Sequence, residues 1–155
     1  MNRLPFFVYG TLLPGQPNYR LWQNVLLAKH PATFKQGFLL DLVHFPMLVE
    51  GDKDAVKGML MIPHPNSYID IMNRLDELED FDPNRPTTGA YFRAERLVHL
   101  SNKETCSAWV YLGRPEFAND APVIESGDWL AHSAAVQNEI KAFWASEIPF
   151  YKDHR

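Results

Sequence analysis

Two places in this chain combine residue types that could do chemistry. One is Glu79, near the end of "NSYIDIMNRLDELEDF"; the other is "YGTLLPG", which breaks the apolar run Phe6 to Tyr9. At about 100° of rotation per residue, Tyr68, Ile71, Met72, Leu75 and Leu78 share one apolar stripe of a helix predicted over Asn66 to Glu79. Glu79 falls inside that stripe, about 40° from Leu75, whereas Asp70, Asp76, Glu77 and Asp80 point roughly 100° or more away, toward solvent. A carboxylate aimed into apolar surroundings loses hydration. Its charged form is disfavoured and its pKa rises toward roughly 6 to 7, the range in which a general acid/base passes protons near neutral pH. The pattern leaves two other readings open: the helix ends a residue early and Glu79 turns to solvent, or Glu79 accepts hydrogen bonds from a neighbouring loop.

The break at Gly10 invites a complementary role. Glycine can adopt backbone conformations closed to other residues and lets a ligand approach the main chain. Amides around Gly10 to Leu12, released from sheet pairing at the strand's end, are suited to hold a carboxylate or an oxyanion. A plain tight turn uses the same residues, so the glycine by itself does not decide between the two.

Other chemistries find little support. His30, His44, His64, His99, His132 and His154 are scattered, with no pair at i,i+4 beside a carboxylate, and Cys106 has no second cysteine, so no metal site is expected. Cys106 lies in the alternating stretch "CSAWVYL", the setting of a buried inert thiol. "GTLLPGQPNY" lacks the Gly-Lys-Ser/Thr ending of a phosphate-binding loop. Ser107 and Ser126 sit in strand and cap contexts, so spacing assembles no Ser-His-Asp set. No cofactor is called for.

The elements that must position these residues are those of one α+β domain over residues 1–155. Strands are expected at Pro5 to Tyr9, Gln36 to Leu42, Val56 to Ile62, Tyr91 to Leu100 and Cys106 to Leu112, several with a half-buried period of two. A glycine near the start of "GFLLDL" and of "KGMLMI" suits a strongly curved or closed sheet. Helices are expected at Tyr19 to Ala28, Asn66 to Glu79 and Gly127 to Trp144, the last capped by Ser126 with Asp128 in its first turn. From about residue 146 a C-terminal tail follows. The aromatics Phe143, Trp144, Phe150 and Tyr151 cover either the domain's own core or a second copy, which leaves a homodimer open.

The net charge of −4 and pI near 5.8, without a Lys/Arg cluster along the chain, argue against nucleic acid or an anionic membrane as partner. No stretch approaches the roughly 18 apolar residues of a membrane span, and a cytoplasmic location is expected.

Taken in order, "VYGTLLPGQPN", "GFLLDLVHFPMLVE", "VKGMLMI", "LDELEDFDP", "AYFRAERLVHL", "AWVYL" and "IESGDW" resemble the gamma-glutamyl cyclotransferase-like family, including its AIG2-like and gamma-glutamylamine cyclotransferase branches. The resemblance runs from Phe6 to about Trp129. It implies a small mixed-strand β-barrel with flanking helices and a pocket at one side. It also implies a cyclising enzyme of transferase or lyase type that acts on a small-molecule γ-glutamyl amine or peptide. Such an enzyme releases 5-oxoproline by attack of the substrate's own α-amino group. By the same resemblance the main chain of Tyr9, Gly10, Thr11 and Leu12 binds the glutamyl moiety and Glu79 is the catalytic acid/base. Tyr91 falls on the pocket wall, with Arg93 as a supporting neighbour. Asp80 stands where many members have glycine, and Leu13 where an arginine or other polar residue is frequent; the leaving group is left open. The competing reading is a non-catalytic module that sequesters an amino-acid-like or acidic metabolite in the same pocket, with Glu79 holding an ammonium. A third keeps the fold but acts on another acyl-transfer substrate.

Overall fold

The structure, a computed structural model, describes residues 3–52 and 55–154, with only the backbone described for 147–154. Five strands close into a barrel: β1 (Phe6–Val8), β5 (Val56–Pro63), β2 (Leu26–Phe34), β6 (Tyr91–Leu100) and β7 (Thr105–Gly113), in that order round the wall. β1 pairs antiparallel with β5 and parallel with β7, so the barrel is mixed. A second sheet, β4 (Pro46–Glu50), β3 (Gly37–Asp41) and β8 (Val123–Ile124), lies beside it. Three helices complete the chain: α1 (Tyr68–Leu78), α2 (Trp129–Ser133) and α3 (Gln137–His154).

β1 explains its own unbroken apolar sequence. Phe7 and Tyr9 belong to a core cluster with Phe34, Leu60, Val98, Val110 and Leu112, while Phe6 and Val8 pack with Trp22, Met61, Tyr68, Ile71 and Leu75 beneath α1. Both faces are buried, so alternation disappears. Close packing at β5 also requires Gly58, where a Cβ would stand 2.2 Å from the Val8 carbonyl oxygen.

Several elements differ from the sequence expectation, among them β4 and β8, strands it did not include. Tyr19 to Ala28 is not a helix: a 3-10 turn at Tyr19–Leu21 leads into β2, whose Leu26 already pairs with Pro63. Pairing along β5 outweighs local helix preference there, and Pro31 inside β2 masks the strand in the sequence. The long C-terminal helix is split by a 3-10 turn at Ala134–Val136. Its first part is capped by Asp128, whose carboxylate accepts from the Ala131 amide, while Ser126 accepts from the Asp128 amide. The segment read as a tail continues α3 as helical backbone to His154; the Phe150 and Tyr151 side chains lie outside the described residues.

Candidate active site

α1 ends where the site begins. Its stripe of Tyr68, Ile71 and Leu75 is buried against the barrel, and the Tyr68 hydroxyl donates to the Leu4 carbonyl at 2.7 Å while accepting from Trp109 Nε1 at 3.0 Å. Glu79 is the C-cap, one residue beyond the last helical position, with its amide still donating to the Leu75 carbonyl at 3.0 Å. Asp80 then turns left-handed at φ 55°. Its amide donates to the Glu77 carbonyl, and the Phe81 amide donates to the Asp76 carbonyl. This pair of bonds is the Schellman arrangement, in which the residue after the cap must accept a positive φ. Glycine does so freely; aspartate is among the few other residues that do so at modest cost. Asp80 therefore keeps the turn that a glycine would make.

Beyond this turn lies a cavity of about 300 Å³, in which Tyr9, Gly10, Thr11, Leu12, Glu79 and Tyr91 are brought together. Glu79 is half-buried, part of its surface opening into the cavity while protein surrounds the rest. Burial, and after it the negative charge of Asp76, lifts its pKa from the ordinary 4.5 to about 8. No hydrogen bond or ion pair reaches its carboxyl group from the described residues.

Asp76 corrects the helical-wheel expectation. It is buried, not solvated, because β6 and β7 lie over that side of the helix: Arg93 grips both of its oxygens, Nε to Oδ1 at 2.9 Å and Nη2 to Oδ2 at 3.3 Å. The Tyr111 hydroxyl adds a third bond to Oδ1 at 2.5 Å. Arg93 in turn lies over the Trp109 ring at 4.6 Å and the Phe81 ring at 5.5 Å. It supports the site through Asp76 and does not line the cavity.

The first-strand loop shows an asymmetry between its donors and acceptors. The Gly10 carbonyl accepts from the Leu13 amide at 3.1 Å, the Thr11 carbonyl from the Asn18 amide at 2.9 Å, and the Leu12 carbonyl from Trp22 Nε1 at 3.2 Å. Asn18 Nδ2 also donates to the Thr11 hydroxyl at 2.9 Å. The amides of Gly10, Thr11 and Leu12 donate to nothing among the described residues. Carbonyls are turned into the protein and amides are left over, the polarity an anion site needs. Gly10 is not left-handed. It is required because a Cβ would stand 2.7 Å from the Pro46 ring, so the sequence argument found the right residue for a different reason. Leu13 is buried in the cluster under α1 and takes no part in the cavity.

The tyrosines bound the site without supplying a base. Burial, then the charge of Glu79, pushes the Tyr9 hydroxyl well above its ordinary pKa, and burial, then Asp76, does the same at Tyr111. Both stay protonated. Tyr9 donates to the Tyr111 carbonyl at 2.7 Å and Tyr91 to the Pro46 carbonyl at 3.2 Å. Residues the sequence did not assign to the site complete the wall: Phe45, Phe117 and Trp144. They come from distant segments, and nothing in spacing joins them. Among the described residues no cluster of three His, Cys, Asp or Glu side chains is arranged to hold a metal ion, and no helix is long and apolar enough to cross a membrane.

Solved structures share this fold at low identity. YkqA from Bacillus subtilis matches with a TM-score of 0.62 and 21% identity over 87% of this chain; the match covers 42% of YkqA, so this chain spans less than half of it. An uncharacterized protein of Pyrococcus horikoshii matches with a TM-score of 0.60 and 20% identity, covering 85% of this chain and 94% of its own. A yeast gamma-glutamyl cyclotransferase specific to glutathione matches with a TM-score of 0.51 and 14% identity, over 73% of this chain and 69% of its own. No curated protein sequence matches. The family described as gamma-glutamyl cyclotransferase, AIG2-like, matches residues 6–131, a span that holds every cavity residue named above except Trp144, and the chain belongs to that family.

Proposed function

We propose that the protein is a cyclotransferase that releases 5-oxoproline and an amine from a γ-glutamyl amide, with Glu79 as the single acid/base. Membership of the family supports a cyclotransferase-type function. The observation that carries the finer reading is the position of Glu79: a carboxyl group without a partner among the described residues, its pKa lifted to about 8, opening into a cavity lined by Gly10, Thr11 and Leu12, whose amides find no acceptor among those residues.

In this mechanism the loop amides hold the glutamyl α-carboxylate and the chain folds so that its α-nitrogen faces its own γ-carbonyl. Well-oriented intramolecular reactions reach effective molarities of about 10⁵ M or more, so positioning supplies much of the rate. Free α-amino groups have a pKa near 8 and are largely protonated at neutral pH. Glu79 removes one proton, the nitrogen attacks the γ-carbon, and the resulting tetrahedral centre expels the former amide nitrogen. Glu79 returns the proton to that nitrogen, a poor leaving group until protonated; such transfers contribute roughly 10² to 10⁴ in rate. A second proton from the former ammonium leaves with the amine, so the products are 5-oxoproline and an alkylammonium. A carboxyl group with a pKa near neutrality is matched to both transfers.

The experiment is a 5-oxoproline release assay on γ-glutamyl amides and peptides, with wild type and Glu79→Gln. Release by wild type and its loss in a folded variant are expected. Saturable binding without product, or full turnover by the variant, would overturn the mechanism.

A further inference from the structure

The cavity that holds Glu79 carries information about what leaves. Its ionisable lining beyond the tyrosines consists of Glu79 and Asp80; no Lys, Arg or His side chain contributes to it among the described residues. The tyrosine hydroxyls are already committed, Tyr9 to the Tyr111 carbonyl, Tyr91 to the Pro46 carbonyl and Tyr111 to Asp76. The loop amides and the Thr11 hydroxyl, which accepts from Asn18 Nδ2, are the donors left, and the substrate's own α-carboxylate uses them.

The rest of the wall is apolar and includes the aromatic side chains of Phe45, Phe117 and Trp144, the last fixed by a hydrogen bond. Trp144 Nε1 donates to the His44 carbonyl at 3.1 Å, and Phe45 meets the Trp144 ring edge-on at 5.9 Å. Phe117, at the end of the 3-10 turn Pro115–Phe117, lines the same cavity yet is 49% exposed, a large apolar side chain the fold leaves uncovered.

We propose that the leaving group is an apolar monoamine without a carboxylate, its hydrocarbon seated against Phe45, Phe117 and Trp144. This rests on the cyclotransferase reading and selects within it. A leaving amino acid or peptide brings a second carboxylate beside Asp80 with no cationic side chain among the described residues to receive it, and a buried charge without a counter-ion is costly. An apolar amine gains from burial instead. As the C–N bond breaks and the nitrogen takes its protons, the product becomes an alkylammonium, a cation that the two acids tolerate.

A matched pair isolates the point: γ-glutamyl-3-methylbutylamide and γ-glutamyl-leucine differ only in the carboxylate of the leaving group. Their kcat/KM values for 5-oxoproline release are compared with that of γ-glutamyl-methylamide, in wild type and in Phe117→Ala. The methylbutylamide is expected to exceed γ-glutamyl-leucine at least tenfold and the methylamide roughly tenfold to a hundredfold, the effect of burying a branched four-carbon extension. Phe117→Ala lowers the methylbutylamide value by a larger factor than the methylamide value. Equal or faster turnover of γ-glutamyl-leucine overturns this inference while leaving the cyclotransferase reading intact. Equal losses on both amides in Phe117→Ala overturn the seat assigned to that ring. No 5-oxoproline from any substrate overturns the reading beneath it.

Discussion

Replacing Glu79 by glutamine is expected to remove activity and, at the same time, to make the protein more stable at neutral pH. A carboxyl group whose folded pKa is about 8 against an ordinary 4.5 keeps its proton in the folded state while the unfolded chain has already lost it. Its contribution to stability is fully present below pH 4.5 and is lost as pH rises toward 8. Each tenfold separation of the two protonation equilibria is about 1.4 kcal/mol. Between pH 4.5 and pH 7 the wild type therefore loses at most about 3 kcal/mol, and by pH 9 about 5. The amide in Glu79→Gln is isosteric with the neutral acid and has no proton to lose. Urea unfolding of both proteins at pH 5, 7 and 9, followed by the fluorescence of the four tryptophans, measures the gap between them. The expected gap is about 1 kcal/mol at pH 5 and about 3 at pH 7. Parallel pH profiles, with the variant no more stable at pH 9 than at pH 5 relative to wild type, would refute the burial argument and the elevated pKa with it.

The pH profile of kcat/KM should rise with unit slope to a midpoint near 8, where Glu79 becomes able to accept a proton, and a profile flat from pH 6 to 9 would contradict this. Asp76→Asn removes the like charge beside Glu79, so the midpoint is expected to move to lower pH. The same change strands Arg93 and should cost about 3 kcal/mol or more in urea unfolding, as the loss of one partner of a buried pair does. Gly10→Ala drives a Cβ against the Pro46 ring, and a loss of roughly 1–3 kcal/mol together with a raised KM is expected from thermal unfolding and steady-state assays. Asp80→Gly relieves a left-handed non-glycine residue and should raise stability by about 1 kcal/mol, measured by the urea midpoint.

Much of the site was legible because it rests on periodicity. Glu79 stands on the apolar side of an amphipathic helix, and the single extra residue of helical hydrogen bonding at the cap keeps the wheel valid as far as that side chain. Tyr91 and Arg93 were named through the family resemblance and not by periodicity, while β6 spans the residues read from the sequence. Asp76 was not legible. A wheel reports angles about one axis and says nothing of which strand lies over the flank, and here β6 brings a guanidinium to it. β2 was hidden by Pro31 and by the helix-like spacing of Leu21 and Val25, residues that pack with Trp22 in a loop instead. The wall of Phe45, Phe117 and Trp144 joins residues far apart along the chain, and no local pattern encodes such a meeting.

The two inward-facing acids of this region, three residues apart on one helix end, have opposite surroundings. Asp76 has Arg93 on both oxygens and the Tyr111 hydroxyl besides; Glu79 has no such partner among the described residues and feels the Asp76 charge. One acid is fully paired, while burial and the neighbouring charge raise the pKa of the other. Arg93 is thus tied to Asp76 and does not pair with Glu79. The buried cation outside the cavity thus bears on the site through Asp76, whose charge adds to burial in lifting the Glu79 pKa toward the range in which one carboxyl group can both take up and return a proton.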